Sequence, residues 1–359
     1  KRQVFRYVPK AEGAGYKLER EVFLSRQGSD RMAGAFSDIM VGADGALYIA
    51  DWYDPMVGGH GAADKQHIGK IYRIAPKGFK PKKAASESQE ELFASPAHNV
   101  RFQGFEKLRE GGTSSLPLIK KLLNCDSPWL AGRAIWVLPY LGEQGIAELN
   151  NIPSTIGKKD YRYRAAAVRS SLRFDRENLG WSMIEKLKND KSAHVRRIIL
   201  THLRDFPYSK KKSVLLDLVL SGDMKDRTYL EALGLAADGD EDSLWADYCR
   251  VRKISDANDW DRQAHLLAWR LHGDALIEDM VARMLMTEVS PEHRKELVAS
   301  LAMNRTEAAF KGMQKIYRQS EDENVKDLAK QFLVKGMVHR WRDHPVREFL
   351  IANRIIDAK

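Results

Sequence analysis

The amino-acid sequence predicts a mainly α protein: an α-solenoid of about eight two-helix repeats, preceded by a small β segment. A basic residue returns at nearly constant spacing, at Arg101, Arg133, Arg164, Arg196, Arg227, Arg262, Arg294 and Lys326, with intervals of 32, 31, 32, 31, 35, 32 and 32 residues. Glycine crowds the other end of the chain, with 11 of the 25 glycines in residues 1–83. Between the two regions lies APKGFKPKKAASES (75–88), a Pro/Gly/Lys/Ser stretch without apolar periodicity. These features divide the chain into a β segment at 1–80, a linker at 81–88, the helical array at 89–345 and a C-terminal tail at 346–359.

In chain order, Gln3 to Val8 alternates large and polar residues, as a half-exposed strand does. Lys17 to Leu24 alternates again after the turn residues AEGAGYK. Asp38–Val41 and Ala46–Trp52 flank GADG (42–45), where Asp44-Gly45 suits the positive φ of a tight hairpin. A 17-residue loop, YDPMVGGHGAADKQHIG (53–69), then leads to a last strand at Lys70–Ile74. Strand, tight turn, strand, longer loop and strand is the layout of one β-propeller blade. One blade cannot cover its own faces, so this segment requires a neighbour.

Short polar or proline-containing entries precede most of the periodic basic residues: ASPAHN, CDSPW, KKDY, DKSAH, VSPEH and SEDEN. Such entries cap helix N-termini, and apolar residues at helical spacing follow them, as at Val195, Ile198, Ile199, Leu203 and Phe206. Partner helices are expected at 115–124, 181–189, 213–221 and 308–319. A two-helix unit of this length, with a basic residue early in its second helix, resembles HEAT repeats. The arginines are expected to pair with carboxylates of the neighbouring repeat rather than with phosphate. Trp129, Trp136, Trp181, Trp245, Trp260, Trp269 and Trp341 are expected in packing, and HRWRDHPVR (339–347) as a polar cap on the last repeat.

Composition excludes several classes. Lys and Arg number 59 against 49 Asp and Glu, a formal charge of +10, yet residues 84–359 hold 44 basic and 40 acidic residues. A nucleic-acid-binding array needs a concentrated basic stripe, so no nucleic-acid partner is expected. Cys125 and Cys249 stand 124 residues apart with no CxxC or CxxCH, which excludes a disulfide scaffold, a thiolate zinc site and a haem attachment within the chain. No apolar run approaches the ~18 residues of a spanning helix, so no membrane-spanning segment is expected. The chain opens on Lys1-Arg2-Gln3, which reads either as a removed leader or as a piece of something longer.

The stretch AFSDIMVGADGALYIADWYDPMVGGHG, followed by IGKIYRIAPKG, resembles the last propeller blade of the membrane-bound dehydrogenases of planctomycetes, verrucomicrobia and related bacteria. Those propellers are similar to quinoprotein glucose/sorbosone dehydrogenases, and in the family a HEAT-type array and then a cytochrome c domain follow. The order of blade, basic linker and helices matches here, whereas no cytochrome motif follows the helices. The resemblance implies a bacterial, periplasmic or exported protein of which this chain is the propeller end and the array. No cofactor is expected within the chain; pyrroloquinoline quinone, calcium and haem c are implied for the parent. Its partners would be the rest of the same polypeptide or an electron-transfer protein. The family's catalytic base and quinone-binding residues sit on earlier blades, so no catalytic residue carries over.

Within the blade, Asp51, Asp54 and His60 are candidate metal ligands, with Asp64 and His67 completing a candidate loop site, because hard cations favour clustered oxygens. The spacing is not that of an EF-hand, and Asp51 and Asp54 equally suit capping of loop amides. In a complete propeller the 53–69 loop would project near the central channel. Three functions follow for comparison: a non-catalytic docking and spacer portion of a quinoprotein-like dehydrogenase, a stand-alone protein-binding scaffold, and, disfavoured by the charge distribution, a nucleic-acid-binding solenoid.

Overall fold

The computed structural model describes residues 3–25, 35–53, 69–81 and 88–357. The chain is mainly helical, with a small β portion of two sheets at its N-terminal end. It forms two compact units, one of residues 1–12 and 16–184, the other of residues 13–15 and 185–359.

In the first unit, β1 (Gln3–Glu12) and β2 (Gly15–Ser25) pair as a two-stranded sheet. Strands β3 (Ala35–Val41), β4 (Leu47–Trp52) and β5 (Lys70–Ile74) form a three-stranded antiparallel meander in that order. The expected tight turn joins β3 to β4: Gly45 adopts φ 83°, and the Gly42 amide donates to the Ala46 carbonyl at 2.8 Å. Asp44 accepts from the Ala46 amide at 3.0 Å and from Arg73 Nε of β5 at 2.8 Å, so one turn carboxylate also fastens the third strand.

Pairing of Ile39 and Tyr72 with Ile49 sets which side chains share a face. The inward face holds Ile49 and Asp51, both buried, and Val41, which packs against Leu92, Ala97 and Val100 of the first helices. The outward face carries Met40, Trp52 and Ile71, which are 58%, 51% and 76% exposed. The sheet is thus apolar on both sides and covered on one.

Four of the six expected entries cap their helices through a side chain, and Asp261 does so as well, whereas at ASPAHN and DKSAH the N-cap residues Ala97 and Ser192 make no side-chain cap bond, Ala97 because it has no polar side chain. Ser127 Oγ accepts from the Leu130 amide, Asp160 from Arg162, Asp261 from Ala264, Ser290 from His293 and Asp322 from Asn324 and Val325. Pro128 and Pro291 stand at the first position of their helices, where the missing N–H has no ladder role. The helices bearing the periodic basic residues pack on one another in sequence order. In the first unit these are His98–Glu110, Pro128–Val137 and Tyr161–Phe174. In the second they are Ala193–Leu203, Arg227–Ala236, Arg262–Leu271, Pro291–Leu301 and Glu323–Gly336.

The arginines themselves divide. Arg262 pairs with Glu296 at 2.6 and 3.0 Å and Arg294 with Asp322 at 3.0 Å, each reaching the next periodic helix or its cap, as expected. Arg133 instead donates to the carbonyls of Phe93 (3.2 Å) and Ser95 (3.5 Å), Arg164 to Gly157 (2.5 Å) and Arg196 to Asp190 (2.6 Å). The physical reason is that carbonyls at the ends of helices and turns lack ladder partners, and a guanidinium with five donors satisfies them without a carboxylate.

Trp245, Trp260 and Trp341 are buried, the first two with ring centroids 5.1 Å apart. Trp129 departs from the packing expectation at 73% exposed, because it lies in its helix's first turn, ahead of the Ala131, Ala134 and Ile135 face that is buried. The 339–347 cluster folds back on the preceding segment. Arg340 donates to the Ala302 carbonyl at 2.6 Å, and Trp341 Nε1 to that of Asn304 at 3.0 Å. The 346–359 tail contains a further helix, Val346–Ala352, anchored by buried Val346, Phe349 and Leu350. Cys125 and Cys249 are free and half-buried; Cys125 sits in a turn, Cys249 on a helix where burial pushes its thiol up to about 11. No helix among the described residues is long and apolar enough to cross a membrane.

The crossing of the first two helices depends on Gly104, where a Cβ would lie 2.4 Å from the Phe93 amide nitrogen. Gly104→Ala is expected to lower stability by about 1–3 kcal/mol, read as a fall in the urea midpoint at unchanged m-value. Gly132→Ala, on a helix with no atom within 4 Å of the added carbon, is expected to be neutral or stabilising.

Candidate functional site

A concavity of the first unit is built from the exposed faces of three helices that pack in succession. Helix His98–Glu110 buries Val100, Gly104 and Leu108, one residue every four. That leaves Arg101, Phe102, Phe105 and Arg109 together along the opposite side. Helix Pro128–Val137 contributes Arg133 and Trp136, and helix Tyr161–Phe174 contributes Ser170 and Arg173. Together with Tyr140 they enclose a groove of about 690 Å³.

Its floor is aromatic. Phe102 stacks on Phe105 with centroids 6.4 Å apart, and Phe105 meets Tyr140 edge-on at 5.9 Å; Tyr140 is backed in turn by Phe174, outside the groove lining, at 5.2 Å. Its walls are cationic. Glu106 pairs with Arg109 at 2.6 Å, and the Arg109 guanidinium lies 6.0 Å from the Tyr140 ring centroid. Among the described residues no carboxylate pairs with Arg101, Arg133 or Arg173. Burial and then the charge of Arg101 lower the pKa of Arg133, whose bonds go to main-chain carbonyls. Guanidinium groups around a ring-lined floor recognise anions and flat or apolar groups; the chemistry of this groove is binding.

Of the residues singled out in the sequence, Asp51 is buried on β4, and Tyr72 Oη donates to its Oδ2 at 3.3 Å. Asp54, His60, Asp64 and His67 lie outside the described residues. Among the described residues no cluster of three His, Cys, Asp or Glu has the arrangement to hold a metal ion.

Two titratable clusters occur in the second unit, and both read as ties between helices. Asp247, 3% exposed, accepts from Tyr208 Oη and Lys212 Nζ at 2.7 Å and pairs with Arg250. Burial opposes its charge, but Lys212, Tyr208 and Arg250 outweigh burial and hold the carboxyl at about 2. His265, 1% exposed, lies 3.2 Å from Glu296 Oε2, and its ring centroid is 5.2 Å from that of His293. Burial, reinforced by the charge of Arg262, brings His265 down to about 4 against the pull of Glu296. Glu296 is already held by Arg262 on two hydrogen bonds, so the cluster joins consecutive helices.

The sequence hides this groove, because Trp136 suits packing and Arg101 and Arg133 suit carboxylate pairing equally well. The signal that marks it is local: Arg101 with Phe105, and Arg133 with Trp136, fall at four- and three-residue spacing on single helices, mixing rings with guanidinium groups where a buried face carries aliphatic residues. No family model matches the chain, and comparison with curated proteins gives no match.

The His265 environment has a measurable consequence. The folded protein keeps this imidazole neutral down to about pH 4, whereas the unfolded chain protonates it near pH 6.5. The unfolded state therefore binds the extra proton between those values, and this contribution to stability falls as pH falls. His265→Gln is expected to reduce the loss of unfolding free energy between pH 7 and pH 5 by about 2 kcal/mol, measured by urea titration at both values.

Proposed function

We propose that this chain is the C-terminal portion of a larger, quinoprotein-like dehydrogenase of the bacterial periplasm, in which the β segment closes a propeller and the helical repeats form a HEAT-like docking and spacer array towards an electron acceptor. The observation that carries this reading is the outward face of the β3–β5 sheet, where Met40, Trp52 and Ile71 stand exposed on a sheet whose other face is already covered. Propeller blades bury such faces against the next blade. The blade-like stretch from Ala35 to Gly78 and its continuation into helices support the family assignment. The packing of each periodic helix on the next within each unit supports a repeat array. On this reading the redox centre lies on other blades, and this chain supplies an interaction surface. A second reading, a stand-alone protein-binding scaffold, is favoured by the basic aromatic groove, whose binding chemistry needs no propeller.

The coding sequence on either side of this chain separates the two. Further blades upstream and a CxxCH downstream are expected; a start codon immediately before Lys1 overturns the dehydrogenase reading. Ile71→Asp gives an independent check. In the full-length parent it is expected to lower the thermal midpoint by several degrees, since a blade interface is disrupted, whereas in this chain alone it changes stability by less than ~0.5 kcal/mol. Equal effects in both proteins would count against burial of this face in the parent.

A further inference from the structure

We infer that the groove of the first unit is a docking site for an acidic peptide segment of a partner protein, carrying large apolar side chains between its carboxylates. The inference rests on the docking reading above and specifies where on the array the partner binds and what it is made of.

Charge sets the first requirement. Arg101, Arg133 and Arg173 line one groove without a carboxylate partner among the described residues, and Glu106 is committed to Arg109. Arg101 disfavours the charge of its neighbour Arg133, so the free groove holds like charges at a cost that an incoming anion relieves. Guanidinium forks accept carboxylates on paired hydrogen bonds, and partial burial strengthens each contact relative to open solvent.

The rings set the second requirement. Phe102 is 61% exposed, and Phe102, Phe105, Trp136 and Tyr140 line the groove with rings. A small inorganic anion would satisfy the arginines and leave this floor wet. A volume of about 690 Å³ admits a few large side chains. A peptide alternating carboxylates with aromatic or aliphatic side chains satisfies both floor and walls.

Charge distribution decides against a nucleic-acid strand as occupant. A phosphate backbone needs a long basic track, and residues 84–359 carry 44 basic against 40 acidic residues, a near balance that does not favour one.

The test uses the full chain and a short fluorescein-labelled peptide alternating glutamate and phenylalanine, followed by fluorescence anisotropy. Saturable binding is expected, weakening as salt rises. The double variant Arg101→Glu, Arg173→Glu is expected to raise Kd at least about tenfold, and Phe102→Ala severalfold. Neither Arg101 nor Arg173 makes a hydrogen bond or ion pair among the described residues, so the variants should keep the wild-type urea midpoint, which is checked in parallel. An unchanged Kd in the double variant overturns the site. So does equal binding of a lysine–phenylalanine counterpart, or tighter binding of a labelled oligothymidylate. A failure here leaves the parent reading standing, because that reading is decided by the flanking coding sequence and by Ile71→Asp.

Discussion

The interaction on which much of this protein depends is the arginine side chain that reaches a main-chain carbonyl outside its own helical ladder. Every helix ends with carbonyls that no amide of the same helix can satisfy. Here Arg133 reaches Phe93 and Ser95, Arg164 reaches Gly157, Arg196 reaches Asp190, Arg283 reaches Ala257 and Trp260, and Arg340 reaches Ala302. Each bond ties the side chain of one segment to the backbone of another and fixes the distance between them. It needs no carboxylate, and at Arg133 it places a guanidinium bound only to main-chain carbonyls beside the rings of the groove.

Legibility in the sequence followed the range of the interaction. The Asp44-Gly45 turn and the Ser127, Asp160, Ser290 and Asp322 caps involve residues within a few positions of one another, and each was readable from local residue types. The succession of helices was readable from the spacing of their basic residues. The partner of each arginine was not, because a carbonyl is present at every residue and leaves no mark in the sequence, whereas a carboxylate does. Arg262 and Arg294 fit the carboxylate expectation; Arg133, Arg164 and Arg196 took the silent alternative. The groove was hidden for a related reason. Its character depends on which faces of three helices meet, and helical spacing cannot distinguish a ring that packs, as at Trp245, from one that faces solvent, as at Trp129. Of the candidate loop ligands, Asp51 alone falls among the described residues, where it serves the inward face of its sheet.

The two surfaces that point outward differ in kind. The outer face of the β3–β5 sheet carries Met40, Trp52 and Ile71 as exposed large apolar side chains, which suits a permanent apolar partner. The groove is concave, cationic and ring-floored, which suits a partner that comes and goes: charge speeds encounter and sets orientation, while the rings supply holding contacts. On the proposed reading, a single chain presenting both would serve as a connector, with one fixed side and one exchangeable side.

Gly104 shows how little sequence is needed to set such geometry. At this point the absence of a single carbon lets one helix lie against the Phe93 backbone of the helix before it. Any side chain at this position would push the two backbones apart. In chains that share this architecture but have drifted beyond recognisable similarity, a glycine in the seventh position of the helix equivalent to His98–Glu110 would persist as a diagnostic mark.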